Sequence, residues 1–285
     1  GAKVDSINRW NETALMFASS KGFREIVILL IKYGAHIDAR DISEKTALLR
    51  AAQNGHLLTV EMLLSIGANM HFNAFDLGGE GGTALIQAAR NGHNDVLQKL
   101  LIDGAEINTT ELMFHHSALM AAALNGHLKS VKLLLNAGAD PALKDTSKRT
   151  ALLLAATNNH FSVIKHLLNV KRNGRQRDSN GNGIWHLLAM SDGQKNTVEE
   201  PTEIAKKDTE NFNLMKELIS QGVSLDSINS DGETALMIAV KRENLKLVKI
   251  LLRLGASTDI TSHGGENALS LTEASGNIDI LKLLR

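Results

Sequence analysis

The pattern of apolar and polar positions along the chain repeats in blocks of about 33 residues. Each block opens on a short run such as TALLRAAQNGH and continues with a longer amphipathic run such as HLLTVEMLLSIGA. In the longer run, apolar side chains fall on one face of a helix, namely Leu57, Val60, Leu63 and Leu64. The pattern therefore predicts two helices per block and a mostly helical chain.

Capping residues predict where the first helix of each block begins and ends. The tripeptide TAL or its counterpart opens eight blocks, at spacings of 33, 37, 34, 33, 33, 51 and 33 residues. Its first residue always suits a helix N-cap: Thr13, Thr46, Thr83, Ser117, Thr150, Gly183, Thr234 and Asn267. Nine residues later stand mostly residues that accept the left-handed conformation ending a helix: Gly22, Gly55, Gly92, Gly126, Asn159, Asp192, Glu243 and Gly276. A fixed period with two insertions indicates a solenoid.

The motifs DISEKTALLRAAQNGH, GGTALIQAARNGH, DGETALMIAV and LLLNAGAD resemble the ankyrin repeat family. The family's proline after Thr is Ala or Ile throughout this chain. The resemblance implies an all-α solenoid of about eight helix-turn-helix units with β-hairpin fingers. It implies a single array over 1–285, a fragment of a longer protein, with repeats at approximately 8–40, 41–77, 78–111, 112–144, 145–177, 178–228, 229–261 and 262–285.

Composition narrows the classes of partner. Lys plus Arg (31) and Asp plus Glu (31) cancel, so no overall field would pull the chain onto nucleic acid or an anionic membrane. The absence of cysteine excludes disulfides and thiolate-bound metal, and it is compatible with a reducing compartment. No apolar run approaches the ~18 residues of a membrane span. We expect a cytoplasmic monomer without membrane insertion or a nucleic-acid partner; the alternative is secretion into a host-cell cytosol.

The sequence contains no pattern typical of catalysis. It has no GxSxG or HExxH motif, and its carboxylates are scattered. The resemblance implies that the histidines recurring once per repeat, and His186, form structural hydrogen bonds: His56, His93, His127 and His160. His115 and His116 are neighbours whose side chains would point apart on a strand, so we do not expect them to share a metal ion. We expect no catalytic residue, metal or cofactor, and we assign Trp185 to the core.

The stretch LMFHH, residues 112–116, is predicted to be a turn and not a core strand. By the resemblance, partner choice lies one, three and four residues before the opening Thr and seven and eight after it. On this count Leu112 replaces the family's aspartate, and Met113 and Phe114 lie at a finger tip. The expected contacts for a protein or peptide are Arg9, Trp10, Ile42, Lys45, Arg90, Met113, Phe114, His116 and Leu124. Trp10 and Phe114 could instead pack against neighbouring fingers.

These positions favour a non-enzymatic protein-interaction scaffold that binds its partner through the concave face and finger tips of the N-terminal repeats. The alternative is the substrate-targeting arm of a larger enzyme or of a secreted bacterial effector, with the catalytic domain outside this sequence.

Three segments depart from repetition. Residues 191–211 form a charged insertion in the sixth repeat, interpreted as a surface excursion with one short helix that is either tolerated or used for partner contact or modification. MHFNAFDLGGEGG is interpreted as a flexible finger, since it lacks the lysine of a phosphate-binding loop. A basic loop is either simply solvated or contacts an anion or acidic partner through Lys171, Arg172, Arg175 and Arg177.

Overall fold

The computed structural model describes residues 3–75, 81–170, 174–191 and 201–285, with side chains from 209 onward in the last range. These residues contain sixteen helices and no β-strand, so the all-α prediction is confirmed for them. The chain divides into two compact parts, the N-terminal unit (Gly1–Thr146) and the C-terminal unit (Ser147–Arg285).

The N-terminal unit is built from pairs of short helices. The first helix of each pair packs against the first helix of the next pair, and the second helix covers its own partner. The pairs are α1 (Ala14–Lys21) with α2 (Arg24–Lys32), α3 (Ala47–Gln53) with α4 (Leu57–Ser65), α5 (Ala84–Arg90) with α6 (Asn94–Ile102), and α7 (Ala118–Leu124) with α8 (Leu128–Asn136).

The predicted caps are where these helices begin. At six of the predicted cap positions in the described chain the side chain accepts a hydrogen bond from the backbone N–H three residues on, which satisfies one of the unpaired donors of the first turn. These cap residues are Thr13, Thr46, Thr83, Ser117, Thr234 and Asn267. The cap prediction from the repeat is therefore confirmed at these positions.

The glycine after each short helix also makes room for the recurring histidine. Gly22 has φ +69°, and a Cβ atom there would lie 2.5 Å from Nδ1 of His56. The close approach allows Nε2 of His56 to bond the carbonyl of Ser20 at 3.0 Å, in the preceding helix pair. His93 and His127 make the equivalent bonds. The predicted structural role is confirmed for these three histidines.

The C-terminal unit continues the pairing with one long helix. It contains α9 (Ala151–Thr157), α10 (Phe161–Val170), α11 (Ile184–Met190), α12 (Pro201–Ser220), α13 (Ala235–Lys241), α14 (Leu245–Arg253), α15 (Ala268–Ser275) and α16 (Ile278–Leu284). Part of the predicted insertion, 192–200, lies outside the described residues. Ser191 follows α11, and residues 201–211 form the first part of α12, which continues without a break to Ser220. Pro201 suits the first position because its missing N–H would have no helical partner there.

Two side chains of α11 hold the core of the C-terminal unit. Trp185 is 1% exposed and its indole N–H donates to the carbonyl of Val223, which confirms its core assignment. His186 is fully buried, accepts from the N–H of Gly183 through Nδ1 and bonds the carbonyl of Glu233 through Nε2. Burial lowers the pKa of His186, because the charged imidazolium would lose its water. The ring therefore remains neutral and structural, as predicted.

Candidate functional site

The first candidate residues lie on a turn before α1, the Trp10 turn (residues 8–12). The Asn8 side chain accepts hydrogen bonds from the N–H groups of Trp10 at 2.9 Å and Glu12 at 3.0 Å. This bracing orders the backbone without using the indole ring, which is 44% exposed. The Arg9 guanidinium lies 3.9 Å from the ring centroid, a cation–π contact that presents an aromatic surface with a positive edge.

The next turn, the Ile42 turn (residues 41–45), lies beside the Trp10 turn. Asp41 accepts from the N–H groups of Ser43 at 2.8 Å and Lys45 at 2.9 Å. The N–H of Ile42 donates to the carbonyl of Trp10 at 3.1 Å, which links the two turns through their backbones. Ile42 is 62% exposed, so the structure brings two exposed apolar side chains onto adjacent turns.

Arg50 of α3 ties both turns to the helices. Its Nη2 lies 2.6 Å from the Glu12 carboxylate and 2.5 Å from that of Asp41. The hydrogen bond from Asn8 and the charge of Arg50 hold the pKa of Glu12 below its ordinary value. The charge of Arg50 is therefore compensated within the protein. The exposed apolar side chains of Trp10 and Ile42 are then what this surface offers to a partner.

The Phe114 turn (residues 111–116) confirms that LMFHH is a turn but corrects its alignment. Leu112 does not take the aspartate's place: Glu111 does, by accepting from the N–H groups of Met113 at 2.6 Å, Phe114 at 2.7 Å and His116 at 3.1 Å. Glutamate is one methylene longer than aspartate, so it braces a turn that is one residue longer. Met113 and Phe114 are 37% and 38% exposed.

The structure contradicts the assignment of His116 as a partner contact. The residue is only 7% exposed, and its Nε2 lies 3.4 Å from the buried carboxylate of Asp145. Its ring stacks on Phe114 with centroids 5.8 Å apart. The two residues lie at different ends of the turn, and the buried histidine supports the exposed phenylalanine from below.

The remaining candidates lie on or below the helical surface between these turns. Arg90 ends α5 and donates to the carbonyl of Gly81 at 3.2 Å, while Leu124 ends α7; both are half-buried, as is Lys45. The tip of the intervening finger, 76–80, lies outside the described residues. Arg90 therefore has a bracing contact as well as an accessible surface.

Some exposed apolar residues were missed in the sequence. Phe17 on α1, Phe75 and Leu112 are all exposed. Leu112 was assigned to a bracing position by the alignment error, whereas Phe17 corresponds in the repeat to Arg50 and to the buried Gln87. Five of the other seven blocks carry an apolar residue at this position, so its apolar character alone would not have marked Phe17 as exposed.

The structure separates the roles of the basic loop residues. Lys171 and Arg172 lie outside the described residues. Arg177 donates to the carbonyls of Gly181 at 2.7 Å and Ile228 at 2.6 Å, so it joins two backbone segments. Arg175 is exposed and lines a cavity. The two described arginines therefore have different roles.

None of the described helices combines the length and apolar character that a membrane span requires.

Models of known protein families match most of the chain. A model described as Ankyrin repeats (3 copies) matches residues 1–76, 119–200 and 203–285, and a model described as Ankyrin repeat matches 80–111.

Similar proteins match only in part. Ankyrin repeat and KH domain-containing protein 1 of Homo sapiens is 47% identical over 60 residues, 21% of this chain and 2% of that protein. Probable E3 ubiquitin-protein ligase XBOS32 of Oryza sativa subsp. japonica is 38% identical over 65 residues, 23% of this chain and 13% of that protein. B-cell lymphoma 3 protein homolog of Mus musculus is 30% identical over 139 residues, 48% of this chain and 22% of that protein. The matches thus span less than a quarter of each relative.

Proposed function

This chain belongs to the ankyrin repeat family, and we propose that it is a non-enzymatic scaffold that binds a protein or peptide through the turns and concave surface of its N-terminal unit. Ankyrin repeats generally mediate protein–protein interaction. The observation that carries the proposal is a set of exposed apolar side chains on turns whose backbones are braced by buried or ion-paired polar groups. Because the turns are already ordered, a partner would not have to supply that ordering entropy.

The chemistry of the exposed set suits a protein partner. Trp10 with its stacked Arg9, Met113 and Phe114 are of the types that are enriched in protein interfaces, where aromatic residues and arginine often dominate the binding energy. Ile42 extends the apolar surface beside Trp10. The surface between the turns contains both charged and apolar side chains, namely half-buried Lys45, Arg90 and Leu124.

The dimensions favour an extended segment as the ligand. The helices α1, α3, α5 and α7 stack in succession. Packed helices lie about 8–10 Å apart, so three steps separate the Trp10 turn from the Phe114 turn by roughly 24–30 Å. An extended chain spans about 3.3 Å per residue, so a segment of about eight or nine residues would reach both.

The proposal includes a wider architecture. It takes the chain as one array of about eight repeats whose turns are hairpin-like fingers, acting as a monomer in the cytoplasm. Isolated antiparallel bridges at the bases of three fingers support the hairpin description: Ile7 with Thr13, Ala74 with Gly82, and Thr110 with Ser117.

The direct test is selection of binders from a displayed library of random 12-residue peptides, followed by affinity measurement. Wild type is compared with the triple variant Trp10→Ala, Met113→Ala, Phe114→Ala. We expect at least about a tenfold weaker Kd, or about 1.4 kcal/mol, because hot-spot truncations commonly cost more than this.

A matched control changes three exposed tip residues of the C-terminal unit: Asn180→Ala, Asp231→Ala and His263→Ala. This variant should bind like wild type. Equal losses in both triple variants, or none in the first, would contradict the proposed surface. Unchanged thermal unfolding of each variant shows that affinity and not folding was altered.

A second candidate function is the substrate-targeting arm of a larger enzyme or of a secreted bacterial effector. The similarity to a protein named as a probable E3 ubiquitin-protein ligase favours the enzyme form, because that relative is much longer than the matched region. A complete coding sequence with a catalytic domain beside this array would support the candidate. A complete coding sequence without a catalytic domain would favour the scaffold function instead.

A further inference from the structure

A cavity of about 400 Å³ lies in the C-terminal unit, between the loop that follows α10 and the loop that follows α12. Its polar lining includes Arg175, Arg177, Ser224 and Ser227. Trp185 and Val223 contribute apolar wall. We call this cavity the Arg175 pocket; it lies in the opposite unit from the surface proposed above and does not depend on it.

The charge lining the Arg175 pocket is entirely positive. Two arginines line it, and no aspartate or glutamate does so among the described residues. Arg177 donates to the carbonyls of Gly181 and Ile228, which are neutral acceptors. Arg175 makes no hydrogen bond or ion pair within the described part of the chain, so its guanidinium donors are available to a ligand.

The backbone beside Arg175 is shaped to let its guanidinium lie across it. Gly222 has φ +78°, and a Cβ atom there would come 2.3 Å from Nη2 of Arg175. Any other residue at 222 would push the guanidinium from this position. The glycine thus ends α12 and also gives the arginine its place at the cavity.

Hydroxyl donors complete the lining. Ser224 and Ser227 have side chains without a hydrogen-bond partner in the described structure, and both line the pocket with Arg175. An arginine fork and two hydroxyls match the three terminal oxygens of a phosphate monoester better than the two oxygens of a carboxylate. A monoester also carries about −1.5 to −2 charges at neutral pH, which suits two arginines.

We propose that the Arg175 pocket binds a phosphate monoester, with Arg175 as the charge-assisted donor, Ser224 and Ser227 as hydroxyl donors, and Arg177 as a fixed second charge. The carrier is either a small metabolite-like phosphate or a phosphorylated side chain, and both use the same chemistry.

The test exploits the two tryptophans of the chain. In a Trp10→Phe background, Trp185 is the sole tryptophan and lies in the pocket wall, so its emission reports binding there. Inorganic phosphate, O-phosphoserine and a short phosphoserine peptide are titrated at pH 7.5 with ionic strength held constant by NaCl, because added salt alone screens charge. Backbone amide resonances of Gly222, Ser224 and Ser227 provide the second readout.

We expect saturable binding that Arg175→Gln weakens at least tenfold and Ser224→Ala weakens about threefold. The matched control is Lys249→Gln, which removes an exposed positive charge of the C-terminal unit away from the pocket and should leave affinity unchanged. Tighter binding of the phosphopeptide than of O-phosphoserine identifies a phosphorylated side chain as the carrier, and equal binding identifies a small phosphate. The unphosphorylated peptide should not bind.

Three results would overturn the proposal. One is the absence of any saturable change in both Trp185 emission and the amide resonances up to 50 mM phosphate compound, a range chosen as about fifty times a 1 mM Kd. Another is unchanged affinity in Arg175→Gln with normal thermal unfolding. The third is an equal loss in Lys249→Gln, which would indicate diffuse attraction instead of a site.

Discussion

The Trp10 turn in the N-terminal unit and the Asp231 turn (residues 229–233) in the C-terminal unit share one backbone design. In each, an asparagine side chain accepts two N–H groups: Asn8 from Trp10 and Glu12, and Asn229 from Asp231 at 3.0 Å and Glu233 at 2.9 Å. Each tip carbonyl accepts from the next turn along the chain, Trp10 from Ile42 and Asp231 from His263. Their tips nevertheless carry an indole ring in one case and a carboxylate in the other.

This difference separates the residues that build a turn from those that face solvent. The bracing asparagine and a residue in the left-handed conformation recur because the backbone geometry requires them. Asn11 has φ 58° and Gly232 has φ 75° at the same place. The tip side chain contributes nothing to that geometry, so it can change from Trp to Asp without altering the turn. The following predictions test this separation.

The largest effect should come from removing a bracing carboxylate. Glu111→Ala leaves three N–H groups of the Phe114 turn without their acceptor, and we expect a loss of about 2–4 kcal/mol in the free energy of unfolding. Glu111→Gln keeps one acceptor oxygen and should lose about half as much. Urea unfolding measures both, and a loss below about 0.5 kcal/mol for Glu111→Ala would show that the turn does not need its brace.

Replacing a glycine at the left-handed position should reduce stability most where another atom lies close to it. A Cβ atom at Gly232 would lie 2.6 Å from the backbone nitrogen of His263, whereas one at Gly265 would meet nothing within 4 Å. Both have positive φ, so Gly265→Ala should cost only the backbone strain of about 1 kcal/mol. Gly232→Ala should cost about 1 kcal/mol more, and equal costs would contradict the role of the contact.

The Asp231 turn has an additional anchor that should make it pH-sensitive. His186 bonds the carbonyl of Glu233, and burial lowers its pKa. The unfolded chain therefore binds more protons than the native protein once the pH falls below about 6.5, so stability decreases there. His186→Asn should flatten the fall in melting temperature between pH 7.5 and 5. The same substitution at exposed His263 should not flatten this fall. If melting temperature depends on pH equally in wild type and His186→Asn, then His186 is not the cause of the pH dependence.

Relieving left-handed strain should produce a smaller gain. His115 has φ 60° in the Phe114 turn, where the corresponding residue of the Asp231 turn is Gly232. His115→Gly should therefore stabilise the protein by about 0.5–1 kcal/mol, less any entropy gained by the unfolded chain. Urea unfolding gives the value. A net destabilisation would mean that the imidazole makes a favourable contact that outweighs the strain.

The smallest effect on stability should come from exchanging the tips. Trp10→Asp and Asp231→Trp should each change the free energy of unfolding by no more than about 0.5 kcal/mol, because neither side chain braces its turn. Peptide binding, in contrast, should be lost in Trp10→Asp. A stability loss above 1 kcal/mol in that variant would indicate that the indole packs as part of the fold.

The amino-acid sequence by itself determined the helical fold, the N-cap residues, the repeating histidines and the turn at LMFHH. The helices and their N-caps depend on helical periodicity and cap chemistry, which act within a few residues along the chain. The roles of the histidines and of LMFHH followed from the resemblance to the ankyrin repeat. Each local pattern occurs in several repeats, so a pattern that is weak evidence in one block becomes strong evidence for the fold when it recurs.

Tertiary structure decided which side chains of a turn remain available. His116 is buried beside Asp145, 29 positions further along the chain, and the charge of Arg50 is compensated by Glu12 on the Trp10 turn, 38 positions earlier. Arg177 and Arg175 look alike in the basic loop, but the carbonyl of Ile228 engages only the first. Exposure and charge compensation depend on neighbours brought together by folding, which a linear pattern does not contain.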